Sequence, residues 1–348
     1  IAISGTHGKT TTTSMVSHIL LAADTDPTIS VGGILPAIHG NIRVGADHIF
    51  VTEACEYTNS FLDFFPKISI ILNIDADHLD FFKDLDDIRH SFRLFAEKLP
   101  SDGILIINKA IPNVEAITKD LPCRIIYYDM DSTSGADYYA ANVSYDAMAC
   151  GSFDLMHGSE NMGRFVLHVP GEHNVDNAIA SLALADLIEI PVTAMQKGLD
   201  QFGGTERRFQ HKGEIGGVTI VDDYAHHPTE IRATLHAAQN CAHKTLWCVF
   251  QPHTYTRTKA LMDDFASALA LADKVVLADI YAARETDTLG ISSQTLQQKL
   301  LDLGCEAYYF PSFDEIETFL LENCSNGDLL ITMGAGDIVK VGEKLLGK

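Results

Sequence analysis

Between Gly5 and Thr11 the chain reads Gly-Thr-His-Gly-Lys-Thr-Thr. A lysine followed by hydroxyl residues and preceded by two glycines is suited to holding phosphate. Gly5 and Gly8 let the backbone curl until several N–H groups point at one anion. Lys9 can then reach the β- and γ-phosphates of a nucleotide, and the Thr10 hydroxyl is placed to ligate Mg²⁺. Thr6, His7 and Thr11 complete the loop, and the ligand it predicts is ATP. One position departs from the strict G-x-x-x-x-G-K-[ST] pattern, because Ile3 stands where that pattern has glycine. Farther along, Glu53 closes one apolar run and His78 follows another. A carboxylate and an imidazole at such ends could join Thr10 around Mg²⁺, with ATP oxygens completing the shell. Imidazole is the unusual member for so hard a cation. A strand-end surface acid and a capping histidine are the other reading of these two residues.

Such residues need strand ends to stand on. Ile1-Ala2-Ile3 reads as a buried strand, and Lys9-Thr-Thr opens a helix carrying Met15, Val16, Ile19 and Leu20. That order puts unpaired N–H groups and the positive end of a helix dipole beside the glycines. Residues 31–45 predict a short strand and turns. Uninterrupted apolar strands are predicted at 49–54, 68–73 and 103–108, with a helix spaced on Ile88, Phe92, Phe95 and Leu99. Alternation of this kind indicates an α/β fold with a parallel sheet covered on both faces. Residues 124–128, 138–145, 152–156 and 165–169 read as a small antiparallel extension. Helices at 171–187 and 192–202 then lead to Gly203-Gly204, read as a hinge. From Arg207, five candidate strands (218–223, 244–251, 274–280, 306–310 and 329–333) predict a Rossmann-like doubly wound domain. The expected division is 1–204 for a central ATP-binding domain and 205–348 for a C-terminal domain.

The 348 residues are 46% hydrophobic, enough for two cores, and carry a formal charge of −22. So acidic a chain repels nucleic acid and anionic membranes, and no basic patch offsets this. Anionic ligands must be held by local lysine, arginine, backbone N–H groups and metal. No apolar run approaches the roughly 18 residues of a membrane span, and no secretory leader is legible at the start. Seven scattered cysteines without C-x-x-C read as reduced thiols. The expectation is a cytoplasmic bacterial protein, with nothing in the sequence bearing on oligomeric state.

Eight motifs occur in order: Gly-Thr-His-Gly-Lys-Thr-Thr, Glu53-Ala-Cys-Glu56, Asn73-Ile-Asp-Ala-Asp-His78, Gly171-Glu-His-Asn-Val-Asp-Asn177, Arg207-Arg-Phe209, Asp222-Asp-Tyr-Ala-His-His-Pro228, Phe250-Gln-Pro-His-Thr-Tyr-Thr-Arg-Thr258 and Gly334-Ala-Gly-Asp337. Together they resemble the Mur ligase family over the whole chain. The resemblance implies an ATP-dependent amide-bond ligase with an N-terminal UDP-binding domain, a central ATPase domain and a Rossmann-like C-terminal domain. It points to the alanine-adding branch, in which the lactyl carboxylate of UDP-N-acetylmuramate is phosphorylated by ATP and the acyl phosphate is captured by L-alanine. On this resemblance the chain is expected to be a fragment starting at the central domain, able to bind Mg-ATP but holding the UDP-sugar poorly.

By motif, Thr10, Glu53 and His78 are implied as Mg²⁺ ligands and Asn174 and Asn177 as adenine contacts. Arg208 is implied as a phosphate contact across the hinge and Asp223 as a ribose contact. Tyr224, His226, His253 and Arg257 are implied as the wall that positions amino acid and acyl phosphate, with Lys9, His78, His226 and Arg257 carrying the catalysis. A guanidinium can grip a carboxylate with two hydrogen bonds, which suits Arg257, and His226 could orient an amine. A helix-entry turn with a polar cap is the bland alternative for His226-His227-Pro228. Gly334-Ala-Gly336 is either backbone lining the cleft or a tight structural turn.

Three positions depart from the family pattern. Arg93 lies where several members carry a carbamylated lysine, as the alanine-adding branch does not. Thr254 replaces a common arginine. Cys55 replaces a common aspartate and is expected to be buried, a packing change only. The alternatives within reach are a muropeptide-recycling ligase that adds a tripeptide to the same acceptor, and a nucleotide-binding module without catalysis.

Overall fold

The computed structural model describes residues 1–79 and 81–348; Asp80, beside the Asp77-His78 pair, lies outside them. The described chain forms two compact units, residues 1–146 with 150–206 and residues 147–149 with 207–348.

The first unit runs β1 (Ala2–Ser4), α1 (Lys9–Ala22), β2 (Thr28–Leu35), β3 (Gly40–Arg43), β4 (Phe50–Glu53), β5 (Ile68–Ile71), α2 (Leu85–Ala96), β6 (Ile104–Asn108), α3 (Glu115–Thr118), β7 (Arg124–Asp129), β8 (Tyr138–Tyr145), β9 (Cys150–His157), β10 (Glu160–Pro170), α4 (Glu172–Leu187) and α5 (Val192–Asp200). Its ten strands lie in the order β10-β9-β8-β7-β6-β5-β1-β4-β2-β3. Every neighbour pair from β2 to β8 is parallel, while β3, β9 and β10 pair antiparallel. The apolar runs of β1 and β5 are buried on both faces, as a parallel sheet between two helical layers requires. The antiparallel extension is present, although β7 and β8 enter it as parallel strands. The stretch read as one strand and turns is the β2–β3 hairpin.

β1 sits at the centre, with β4 on one side and β5 on the other. The chain leaves β1 toward the first side and returns to the second, so a crevice opens at the carboxyl ends of β1, β4 and β5. The phosphate loop, Glu53 and Asn73 all follow those three ends. α1 and α4 are buried almost all round, and in α1 the buried Ser14 and Ser17 hydroxyls donate to the carbonyls of Thr10 and Thr13. α2 buries one face, where Phe61 stacks on Phe95 at 4.6 Å between ring centroids and meets Phe92 edge-on at 5.3 Å.

The second unit runs β11 (Gln210–Ile215), β12 (Val218–Asp223), α6 (Pro228–Gln239), β13 (Leu246–Phe250), α7 (Tyr255–Ala260), α8 (Met262–Leu269), β14 (Lys274–Leu277), α9 (Ser293–Asp302), β15 (Glu306–Tyr309), α10 (Phe313–Asn323), β16 (Leu329–Met333) and α11 (Val339–Leu345). The order is β11-β12-β16-β13-β14-β15. All five expected strands are present and parallel to one another, and β16 returns to lie between β12 and β13. β11 is additional, an antiparallel edge strand joined to β12 through Gly216 and Gly217 at φ 58° and 78°. Two successive positive φ values make a tight hairpin turn that glycine alone enters without strain.

Candidate active site

The phosphate loop is held by its neighbours as much as by its own glycines. Gly8 stands before α1 at φ 84°. A Cβ placed there would lie 2.6 Å from Asn177 Oδ1, and one on Gly5 (φ 144°) would lie 2.9 Å from Leu72 Cβ. The His7 N–H donates to Asn73 Oδ1 at 2.7 Å, and Asn73 Nδ2 donates back to the His7 carbonyl at 3.1 Å. Thr6 accepts from the Asp75 N–H at 2.9 Å, and the His7 ring meets the Asp75 carboxylate at 3.3 Å. The loop is therefore pinned to the chain after β5 on one side and to α4 on the other. Asn177 and Asn174 are buried and joined at 3.2 Å, and Asn174 also donates to the Pro170 carbonyl.

Thr10 Oγ1 donates to Glu53 Oε2 at 3.2 Å, and the other Glu53 oxygen accepts the Gly32 N–H at 2.5 Å. These two expected metal ligands thus stand together, offering the hard oxygens that Mg²⁺ takes. His78, in left-handed backbone at φ 53°, has its ring against Tyr57 at 4.4 Å and near the Asp77 carboxylate at 3.8 Å. Lys9 Nζ donates to the Gly5 carbonyl at 2.5 Å, the Thr6 carbonyl at 3.1 Å and the Glu56 carboxylate at 3.0 Å. Burial alone would pull its ammonium down, but Glu56, with help from Cys55 and Glu53, more than offsets this and the net shift is upward. Glu56 was visible in the Glu-Ala-Cys-Glu motif, yet nothing local marked it as the partner of Lys9.

In the second unit the carboxyl ends of β12, β13 and β16 gather a second constellation. Tyr224 carries the guanidinium of Arg207 at 4.9 Å and of Arg208 at 5.4 Å over its ring. His226 lies edge-on to Tyr224 at 5.4 Å and to His253 at 5.7 Å. Arg257 Nη1 is 3.1 Å from His253 Nδ1, and His253 stacks on Tyr281 at 5.6 Å. Tyr224, His226, His253 and Arg257 thus form one surface. Sequence reasoning missed two of its members, Tyr281 and Glu230. The Glu230 carboxylate takes the His226 N–H at 3.1 Å and lies 3.8 Å from Arg208; its spacing of four residues from His226 on a helix start was the available signal.

Asp223 is buried, and both oxygens accept backbone N–H groups, from Ala225 at 2.7 Å and Phe209 at 2.8 Å. Burial pushes its carboxyl up to about 6, against the pull of Arg208 and those N–H groups. Asp222, fully buried, takes Arg207 Nε at 2.9 Å and the Thr332 hydroxyl at 2.7 Å. Arg207 also donates to the Gly334 carbonyl, so Gly334 serves the turn that anchors it.

Some expectations change. The polar cap of α6, which the helix-entry alternative for His226-His227-Pro228 left unassigned, is His227, whose Nδ1 accepts from the Thr229 N–H. Cys55 is exposed, not buried, because it falls on the outward side of the turn that sends Glu56 inward. Arg93 ties α2 to the carbonyls of Ile117 and Lys119. Thr254 caps α7 from a positive φ of 65°.

Residues 3–185 match the Mur ligase middle domain and residues 207–336 the Mur ligase glutamate ligase domain. The chain belongs to the Mur ligase family. Among curated Mur ligases it is 60% identical over 348 residues to the UDP-N-acetylmuramate–L-alanine ligase of Agathobacter rectalis, a match covering 100% of this chain and 75% of that one. The solved structure of the UDP-N-acetylmuramate-alanine ligase of Thermotoga maritima matches with a TM-score of 0.83 and 28% identity, over 100% of this chain and 74% of that one. A murein peptide ligase from Psychrobacter arcticus follows at 0.73 and 25%, over 99% of this chain and 76% of that one. The chain spans about three quarters of the length of these Mur ligases.

Proposed function

We infer that this protein is an ATP-dependent amide-bond ligase that joins L-alanine to the lactyl carboxylate of UDP-N-acetylmuramate. The observation that carries the reading is the 60% identity, over the whole chain, to a ligase of that name. The recycling alternative is represented by a murein peptide ligase structure at 25% identity. A carboxylate is a poor acyl donor, so its oxygen first attacks the γ-phosphorus of ATP and ADP leaves. The alanine amine then attacks the acyl carbon of the resulting acyl phosphate, and phosphate leaves through a tetrahedral intermediate.

Two anions must meet in line, so the work of the protein is alignment and charge neutralisation. The N–H groups after Gly5 and Gly8 and the ammonium of Lys9 cradle the nucleotide phosphates, with Thr6, His7 and Thr11 shaping the loop. Asn174 and Asn177 take the adenine side. Thr10 and Glu53 fit a hard divalent cation, being oxygen donors already 3.2 Å apart, and His78 is their third candidate. Mg²⁺ bound there supplies positive charge to the phosphoryl oxygens. Tyr224, His226, His253 and Arg257 orient the amino acid: the guanidinium takes its carboxylate and the imidazoles steer its amine. No described helix is long and apolar enough to cross a membrane. The substrates of this reading place the reaction in the bacterial cytoplasm.

Phosphate release by the protein produced from its whole gene tests the reading. Release is expected only when Mg-ATP, UDP-N-acetylmuramate and L-alanine are all present. Faster release with a tripeptide acceptor than with L-alanine would replace this reading by the recycling one.

A further inference from the structure

Glu56 is 2% exposed, and its carboxylate reaches the Lys9 ammonium at 3.0 and 3.4 Å. A carboxylate this deep needs a partner, and Lys9 is the cation beside it. For phosphate binding alone the arrangement is a liability, since an anion here both repels a γ-phosphate and competes for the lysine that should meet it. The chain nevertheless builds it with care. Ala54, wholly buried, fixes the exit from β4. Glu53 then points to Thr10, and three residues later the helical turn at Glu56 (φ −72°, ψ −25°) sends the second carboxylate to Lys9. The remaining Lys9 hydrogen bonds go to the neutral carbonyls of Gly5 and Thr6, so Glu56 is the formal charge that balances the ammonium.

We propose that Glu56 is a positioning residue that acts through Lys9 as an exchangeable counter-anion, yielding the ammonium to the nucleotide and recapturing it so that ADP departs. The proposal rests on the reading of the phosphate loop as the ATP site. Its consequence is a split between affinity and turnover. Glu56→Gln keeps the size and one carbonyl acceptor but removes the competing charge. Hydrogen bonds to charged groups are the strong class, so loss of the competitor is expected to tighten Mg-ADP binding by about tenfold. kcat is expected to fall by a similar factor, while phosphoryl transfer in a single turnover stays at the wild-type rate.

Calorimetric titration of Mg-ADP into wild type and Glu56→Gln, with steady-state and single-turnover kinetics, is the test. Equal or weaker ADP binding by the variant, or an unchanged kcat, overturns the proposal and leaves Glu56 a structural acid. Should Glu56→Gln fail to fold, Glu56→Asp carries the test. It keeps the charge but withdraws it by one methylene, so ADP binding is expected to tighten by a smaller factor, and weaker binding overturns the proposal. Wild-type protein that binds no Mg-ADP overturns the reading of the loop itself, and the proposal with it.

Discussion

Gly8→Ala probes how firmly the phosphate loop is clamped. At φ 84° an L-residue adopts left-handed backbone, which costs about 1–2 kcal/mol. The new methyl would lie 2.6 Å from Asn177 Oδ1 and 3.3 Å from Leu72 Cδ1. Asn177 cannot swing clear, because it is buried and held to Asn174 at 3.2 Å. Overpacking of this kind costs about 1–3 kcal/mol. The expected loss is therefore about 2–5 kcal/mol, a large share of the usual margin of about 5–15 kcal/mol, with Mg-ATP binding lost as the N–H groups turn away. Urea unfolding measures the first effect and calorimetry the second. The only tryptophan, Trp247, lies on β13 in the other unit. A transition shifted by circular dichroism but not by tryptophan fluorescence would therefore locate the damage. Gly40→Ala is the control: no atom lies within 4 Å of its added methyl, and a change within about 0.5 kcal/mol is expected. A Gly8→Ala protein within 1 kcal/mol of wild type that binds Mg-ATP normally would refute the clamp, by the same scale.

His78→Ala is expected to raise the Mg²⁺ concentration needed for half-maximal activity several-fold with little change in ATP affinity; an unmoved midpoint returns His78 to packing against Tyr57. Arg257→Ala should raise the KM for L-alanine by about ten- to a hundredfold, and a fall in nucleotide affinity with an unchanged KM for alanine would show it to be misassigned. Asp176 on α4 is pushed up to about 7 by burial first and then by Asp129 and Glu172, against the hydrogen bond from Asn108. Between about pH 4 and 7 the folded protein thus keeps a proton that the unfolded chain has released, and stability falls as pH rises through that window. Asp176→Asn, which still accepts from Asn108, should remove that slope and stabilise the protein by about 1–3 kcal/mol at pH 8. Urea unfolding at pH 5 and pH 8 with equal slopes in both proteins would dismiss this.

What the sequence disclosed was what lies close along the chain. Gly5 to Thr11 is contiguous, so strand, turn, lysine and helix start were readable together. The continuous apolar runs at β5, β6 and β16 could only be buried parallel strands. β11 was hidden because Gln210-His-Lys-Gly-Glu-Ile215 is polar and lies on a sheet edge, where packing imposes no alternation. The partnership of Lys9 with Glu56 escaped because it joins α1 to the turn after β4, a meeting that only tertiary structure makes. The same holds for Asn177 beneath Gly8, and for Tyr281, which reaches His253 from the loop after β14. Cys55 was misread because residue type says how willing a side chain is to be buried, not which way a turn will face it.

The latch between His7 and Asn73, and the seat of Gly8 on Asn177, have a consequence for how the protein is made. The residues that grip phosphate are translated before the residues that shape them, Asn177 only with α4. A nascent chain that ends before α4 carries every residue of the loop and its latch to Asn73, but lacks the seat of Gly8 on Asn177. The loop is therefore complete only once most of the first unit has been synthesised.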